Sequence, residues 1–200
     1  TAKNILIDSG TTSLELTKKI YDKAKEKGVE FLDAPMTGSK LGAESGQILF
    51  MVGGDKEIFD KCMPLWNAMG KKAVYCGESG LGQKAKYALN LTLSLTLESY
   101  LEGLIFAMKN NVSMDTMMDI LDNSAARSGI ASFKLPYIMK RDFKPHFLYK
   151  LMHKDLKIAE KEMQKLDLNL PLSKEMFRQF QKGHEKRLDE EDFSALVKLL

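Results

Sequence analysis

A change of rhythm near residue 80 limits the fold of this chain more than any other feature of its sequence. Before it, short apolar runs closed by turn residues alternate with amphipathic helical stretches; after it, strand signals cease. Asn4-Ile5-Leu6-Ile7-Asp8, closed by Ser9-Gly10, has the continuous apolarity of a buried parallel strand. A helix is expected over 13–27, with Leu14, Ile20 and Ala24 inward and Gly28 as its stop. Residues 29–34 read as a second strand ended by Pro35, and 48–52 as a third ended by Gly53-Gly54. Asp55 can cap a helix running to about Met69, and 73–76 close the series as a strand. This β-α-β-β-α-β order fits the second half of a doubly wound, Rossmann-type sheet better than an independent fold.

The remainder reads as all-helical. Residues 82–110 carry a helical pattern with no proline and only Gly103 inside it. At 1.5 Å per residue such a helix is roughly 40 Å long and can connect two domains. Further helices are expected from Ser113, near Phe147, from Ser173 after Pro171, and from Asp189 or Asp192. Pro136 and Pro145 bracket a loop-rich crossing. The expected division is thus 1–79, an α/β part, and 80–200, an all-helical part.

Composition narrows the function classes. With 44% hydrophobic and 28% charged residues the chain is an ordinary globular one rather than a disordered one. A net charge of +3, with Lys18, Lys19, Lys23, Lys25 and Lys27 spread along a solvated helix, makes no basic patch for nucleic acid. No unbroken apolar run reaches the roughly 18 residues of a membrane span, and no signal peptide is visible. A reducing cytoplasm is the expected setting for Cys62 and Cys76. Neither these cysteines nor His146, His153 and His184 have metal-ligand spacing, so no metal is expected. The chain lacks an initiating methionine and opens almost directly on a strand, which leads to the expectation of a piece of a longer protein.

Three segments can carry chemistry. In Asp33-Ala34-Pro35-Met36-Thr37-Gly38-Ser39, directly after a strand, Thr37 and Ser39 offer hydroxyls. Gly38 lets the backbone approach a ligand closely, and successive N–H groups can form a carboxylate nest; a plain strand-to-loop turn has the same composition. In Gly80-Leu81-Gly82-Gln83-Lys84-Ala85-Lys86, at the head of the long helix, Lys86 shares a helical face with Asn90. The positive end of a helix disfavours an ammonium, which suits a lysine to proton transfer near neutral pH. A surface lysine and a satisfied interhelical amide fit the same spacing. The third segment, Phe147 to Ala159, holds the adjacent pair Lys154-Asp155 and is otherwise a plain amphipathic helix.

In this order the three segments resemble the β-hydroxyacid dehydrogenase family, which includes 3-hydroxyisobutyrate dehydrogenase and glyoxylate or succinic semialdehyde reductase, with 6-phosphogluconate dehydrogenase more distant. Its D-A-P-V-S-G motif stands here as Asp33-Ala34-Pro35-Met36-Thr37-Gly38, and its G-x-G-x-x-x-K helix start as Gly80 to Lys86. Its K-D-L-x-L-A segment stands as Lys154-Asp155-Leu156-Lys157-Ile158-Ala159. Leu49-Phe50-Met51-Val52-Gly53-Gly54 and Asp192-Phe193-Ser194-Ala195 also match in their relative places. The resemblance implies a 6-phosphogluconate dehydrogenase-like helical C-terminal domain and an oxidoreductase using NAD or NADP. Its substrates would be a small hydroxyacid or aldehyde: a 3-hydroxyacid such as 3-hydroxyisobutyrate and its semialdehyde, or else glyoxylate or succinic semialdehyde. It makes Lys86 the catalytic acid/base and Asn90 the group that positions the reacting oxygen or the lysine. Thr37, Gly38 and Ser39 would bind the substrate carboxylate, Phe147 and Asp155 would close the pocket, and Thr11 and Lys154 would meet the cofactor. It also implies a homo-oligomer through the helical domain; a non-catalytic helical oligomerisation piece is the reading from another class.

Departures from the pattern are informative. Thr37 stands where the family usually has serine, so the hydroxyl survives with an added methyl. The usual Asn-Asn pair after the lysine is Leu89-Asn90 here. The family's N-terminal β-α-β unit with its G-x-G-x-x-G loop has no counterpart, because the glycines around 42–46 and 77–82 do not sit between a first strand and its helix. The chain as it stands is therefore expected to bind the dinucleotide poorly.

Overall fold

The computed structural model describes residues 4–200, which divide into two compact units, Thr1–Leu89 and Asn90–Leu200. That division falls inside the long helix, later than the 79/80 boundary expected from where strand signals end. A continuous helix gives no local sign of where one packing environment hands over to the next.

The first unit is a five-stranded mixed sheet with helices. Strand β1 (Ile5–Asp8) runs parallel to β2 (Glu30–Asp33), with Asp8 opposite Asp33 at their carboxyl ends. Helix α1 (Leu14–Glu26) connects them; its N-cap Ser13 accepts the Leu16 N–H, and Thr17 and Ala24 are its buried residues. Ala34 and Pro35 interrupt the extended chain before β3 (Met36–Thr37), and both β2 and β3 lie antiparallel to β4 (Leu49–Gly54). A short helix, α2 (Ser39–Glu44), precedes β4. Neither β3 nor α2 is visible in the periodicity, being too short to carry one. Helices α3 (Lys56–Lys61) and α4 (Met63–Met69) replace the single helix expected, since Pro64 cannot continue the backbone ladder through Cys62. Strand β5 (Lys72–Gly77) pairs parallel with β4. Leu32, Phe50, Val52, Phe59 and Trp66 form the core on one side of this sheet. β1 corrects one expectation: it is parallel but not buried, because among the described residues it pairs only with β2, leaving Ile5 and Leu6 exposed.

Helix α5 (Leu81–Lys109) begins the helical half, followed by α6 (Met114–Asp122), α7 (Gly129–Met139), α8 (Tyr149–Lys165), α9 (Pro171–Glu185) and a 3-10 segment, Phe193–Leu199. Ser113 caps α6 as expected. Pro136 lies inside α7 rather than in a loop, where burial of Leu135 and Ile138 holds the last turn despite the lost hydrogen bond. Pro171 is itself the first residue of α9, two before the expected start, because a helix leaves its first N–H groups unbonded anyway. By length and composition alone α5, with a hydropathy of 1.2, could cross a membrane, although no apolar run within it is unbroken over that length. Its buried positions, however, include Gln83, Lys86, Asn90, Ser94 and Glu98, a polar stripe unsuited to lipid. Leu97, Leu101, Leu135, Tyr149, Met152, Leu156, Phe180 and Leu196 form the core of the helical unit.

Candidate active site

In the first unit the head of α5 is held by side chains distant in sequence. Asp33 is fully buried, and its carboxylate accepts the N–H of Gly80 at 2.6 Å and that of Gln83 at 3.0 Å. It thus caps a helix that begins almost fifty residues later, using two of the donors that a helix start leaves free. Burial pushes the Asp33 carboxyl above its ordinary value, while those backbone donors pull it back. Gly82 is required by closeness: a Cβ there would lie 2.5 Å from the Met51 carbonyl oxygen and 2.8 Å from that of Asp33. The G-x-G spacing therefore presses the helix start against the strand ends.

The loop after β1 is tied to the same turn. The Gln83 amide donates to the Gly10 carbonyl at 2.8 Å and accepts the Thr12 N–H at 3.2 Å, and the Tyr87 hydroxyl donates to the Thr12 carbonyl. Thr11 sits half-buried in this loop. Lys86, one turn into α5, is only 6% exposed. Thr37 ends β3, and Gly38 (φ +137°) and Ser39 (φ +56°) follow with consecutive positive φ. A Cβ on Gly38 would come within 2.9 Å of Ile48 Cδ1, so the turn needs glycine both for its φ and for its space. The sequence assigns no role to Asp33, Gln83, Tyr87 or Thr12, although Asp33 and Gln83 lie inside quoted motifs.

The helical unit brings three of the expected residues together. Asn90 is 1% exposed and its amide donates to Asp155 Oδ2 at 2.8 Å, while Lys154 Nζ lies 2.7 Å from Asp155 Oδ1. Asp155 is buried and Lys154 half-exposed, so the pair reaches from the interior to the surface of α8. Phe147 is placed from behind by Asp192, whose Oδ2 accepts the N–H groups of His146 at 2.9 Å and Phe147 at 3.1 Å. Oδ1 of Asp192 takes the Ser194 N–H and hydroxyl, and Lys134 Nζ donates to both oxygens at 2.7 and 2.8 Å. The Phe147 ring meets Phe193 edge-on, with centroids 6.2 Å apart. Burial alone would raise the Asp192 carboxyl, but the Lys134 charge and the converging donors hold it below its ordinary value.

A cleft of about 810 Å³ also opens in the first unit, lined among others by Thr17, Tyr21, Ser79, Gly80 and Lys84. None of the expected site residues lines it.

A Rossmann-type sheet followed by an all-helical unit, with a buried lysine and a buried amide one turn apart on the long helix, is a two-part architecture that the comparisons with known proteins place in a family. Residues 80–200 match the family model described as NAD-binding of NADP-dependent 3-hydroxyisobutyrate dehydrogenase, and residues 1–77 match that of the NAD binding domain of 6-phosphogluconate dehydrogenase. The chain belongs to the 3-hydroxyisobutyrate dehydrogenase family, among the β-hydroxyacid dehydrogenases its motifs resemble. It is 32% identical to glyoxylate/succinic semialdehyde reductase 1 of Arabidopsis thaliana over 96% of its length, and 32% identical to 2-(hydroxymethyl)glutarate dehydrogenase of Eubacterium barkeri over 99%. It spans just under two thirds, 66%, of the length of each of these curated relatives. The solved structure of Mycobacterium tuberculosis 3-hydroxyisobutyrate dehydrogenase with L-serine superposes with a TM-score of 0.89 at 28% identity, covering 98% of this chain and 69% of the other.

Proposed function

We propose that the protein is an NAD(P)-dependent oxidoreductase that interconverts a small 3-hydroxyacid and its semialdehyde, with Lys86 as the acid/base. The observation that carries this reading is Lys86 itself, a lysine buried to 6% exposure on a helix whose start is fixed by Asp33 and Gln83. Burying an ammonium-bearing side chain is costly, so a lysine kept at such a place, on the helix start that matches the family's motif, is a candidate for proton transfer. In the oxidative direction Lys86 takes the proton from the substrate hydroxyl; in reduction it polarises the aldehyde oxygen and returns that proton. Asn90, held by Asp155, positions the reacting oxygen or the lysine. Thr37, Gly38 and Ser39 bind the substrate carboxylate through hydroxyl and backbone donors, and Phe147 walls the pocket. The name of the mycobacterial neighbour includes L-serine, itself a 3-hydroxyacid, which supports this substrate class.

The dinucleotide fits these residues in part. The Asp8-Ser9-Gly10-Thr11-Thr12 loop has a single glycine and lacks the phosphate cradle of a dinucleotide fingerprint. It does stand at the carboxyl end of β1, where α/β sheets bind ligands, and Asp8 Oδ2 is buried there without a hydrogen-bond partner, an acceptor open to a ligand hydroxyl or amide. Thr11 and Lys154 would contact the bound cofactor. The nicotinamide supplies the hydride chemistry; the protein's part is to orient the substrate and move the proton.

Assay of the full-length protein with 3-hydroxyisobutyrate, L-serine, glyoxylate and succinic semialdehyde, with both cofactors, tests the reading. Lys86→Met is expected to lower kcat by several orders of magnitude while cofactor affinity stays within a few-fold. Near-normal turnover would move the proton transfer elsewhere. Faster reduction of glyoxylate or succinic semialdehyde than of any 3-hydroxyacid pair would favour the reductase reading that the Arabidopsis relative supports. No turnover with any substrate would favour a non-catalytic oligomerisation role. Self-association through the helical unit belongs to the same proposal, supported by exposed Phe106 and Leu172, and a purely monomeric sedimentation profile would remove it.

A further inference from the structure

The helical unit contains a second cluster of chemically able side chains that the proposed reaction does not use. His153 lies on α8, His184 in the last turn of α9, and Asp189 just beyond it. We propose that His153, His184 and Asp189 form a binding site for one divalent transition-metal ion of the zinc class, which clamps α8 to the end of α9. One ligand atom from each, two imidazole nitrogens and a carboxylate oxygen, lie within 4.8 Å of one another. This donor set is one that zinc-class ions take, with a remaining position for water.

The geometry is near that of a loaded site. Ligands about 2.0–2.2 Å from a tetrahedral ion stand roughly 3.3 Å apart, so no pair need close by more than about 1.5 Å. His184 has a half-exposed side chain and is free to supply that movement, while His153 is fixed in the interior at 7% exposure. The two rings already face each other, with centroids 5.1 Å apart and planes at 41°.

A simple ion pair explains only part of this arrangement. His184 Nδ1 and Asp189 Oδ2 are 2.7 Å apart, which accounts for those two groups. It leaves Asp189 Oδ1, buried and without a hydrogen-bond partner, and it leaves the approach of a second imidazole. His153 also has a side-chain hydrogen bond with Gln181. Because an imidazole has two nitrogens, His153 can keep the Gln181 bond with one and offer the other, the arrangement that orients metal-bound histidines. Lys157, whose charge bears on His153, opposes a metal and sits a helical turn along on the α8 side.

Spacing rules miss this site because its members come from two helices and a turn. Its consequence is structural: an ion there would close the chain from α8 to Asp189 and resist separation of the two helices. Calorimetric titration of chelator-treated protein with Zn2+, and visible spectra with Co2+, provide the test. One ion per chain, a tetrahedral-type Co2+ band and a Zn2+-dependent rise in Tm are expected. His184→Ala and Asp189→Ala alter partly exposed residues, keep the fold by circular dichroism, and are each expected to weaken Zn2+ at least tenfold. Absence of saturable binding in the unaltered protein would overturn the proposal, as would binding that both substitutions leave unchanged.

Discussion

Two buried aspartates, one in each unit, meet the same electrostatic problem in opposite ways. Asp33 is surrounded by backbone N–H groups and, among the described residues, pairs with no cation, so burial raises its carboxyl. Asp192 gathers four protein donors and the Lys134 ammonium, and its carboxyl is held low. Asp33 sets where a helix begins and Asp192 sets where its own chain segment meets two others, α7 and the start of α8. A carboxylate that only caps can stay poorly compensated; one that organises several segments needs a full counter-charge. The electrostatic signs follow: Asp192 adds stability above the ordinary carboxylate range and loses it as pH falls below, whereas Asp33 adds stability at low pH and loses it as pH rises.

The sharpest way to break this contrast is Asp192→Ala, which removes the acceptor and leaves the Lys134 ammonium buried alone. A loss of about 3–5 kcal/mol in urea unfolding of the helical unit is expected. Lys134→Met should cost less, because Asp192 keeps the N–H groups of His146, Phe147 and Ser194 and the Ser194 hydroxyl. Equal losses would show that the ion pair alone matters.

The next effect is a gain. Glu98, on α5, is nearly buried, its Oε2 lacks a hydrogen-bond partner, and burial together with Glu102 and Glu175 pushes its carboxyl up to about 7. A carboxyl raised on folding contributes its stability below the unfolded value near 4.5 and loses it as pH rises through about 7. Glu98→Gln should therefore stabilise the helical unit at pH 8 by up to roughly 3 kcal/mol and do nothing at pH 4. A Tm gain independent of pH would assign the effect to packing.

The smallest expected effect concerns Asp33. Asp33→Asn keeps one acceptor but sets an NH2 against the second backbone N–H, a loss that outweighs relief of the ill-compensated charge, so it should cost about 1–2 kcal/mol and speed amide exchange at Gly80 and Gln83. A loss as large as that of Asp192→Ala would erase the difference between the two carboxylates.

The sequence showed the order of long elements, the switch to helices and the three motifs, since each rests on periodicity or on a contiguous string. What it did not show depends on residues meeting across the chain. Nothing near Gly80 announces that Asp33 caps the helix there, and nothing near Asn90 announces Asp155. The Lys134–Asp192 pair was invisible for a further reason: Lys134 lies on a helix whose Pro136 reads as a break, so its neighbourhood looked like loop. β1 reads as buried yet is exposed, because continuous apolarity records what a strand can bury, not how many neighbours it has.

The long helix imposes one more condition, on the gene rather than on the fold. Because α5 runs unbroken from Leu81 to Lys109, Lys86 and Asn90 keep their angular relation only while the number of residues between them is kept. One inserted codon there would swing every later side chain by about 100° around the axis and carry Asn90 off the stripe it shares with Lys86. Substitutions can be sampled one at a time along this stretch, but its length cannot drift, so between Gly82 and Glu98 related genes are expected to differ in letters and never in count.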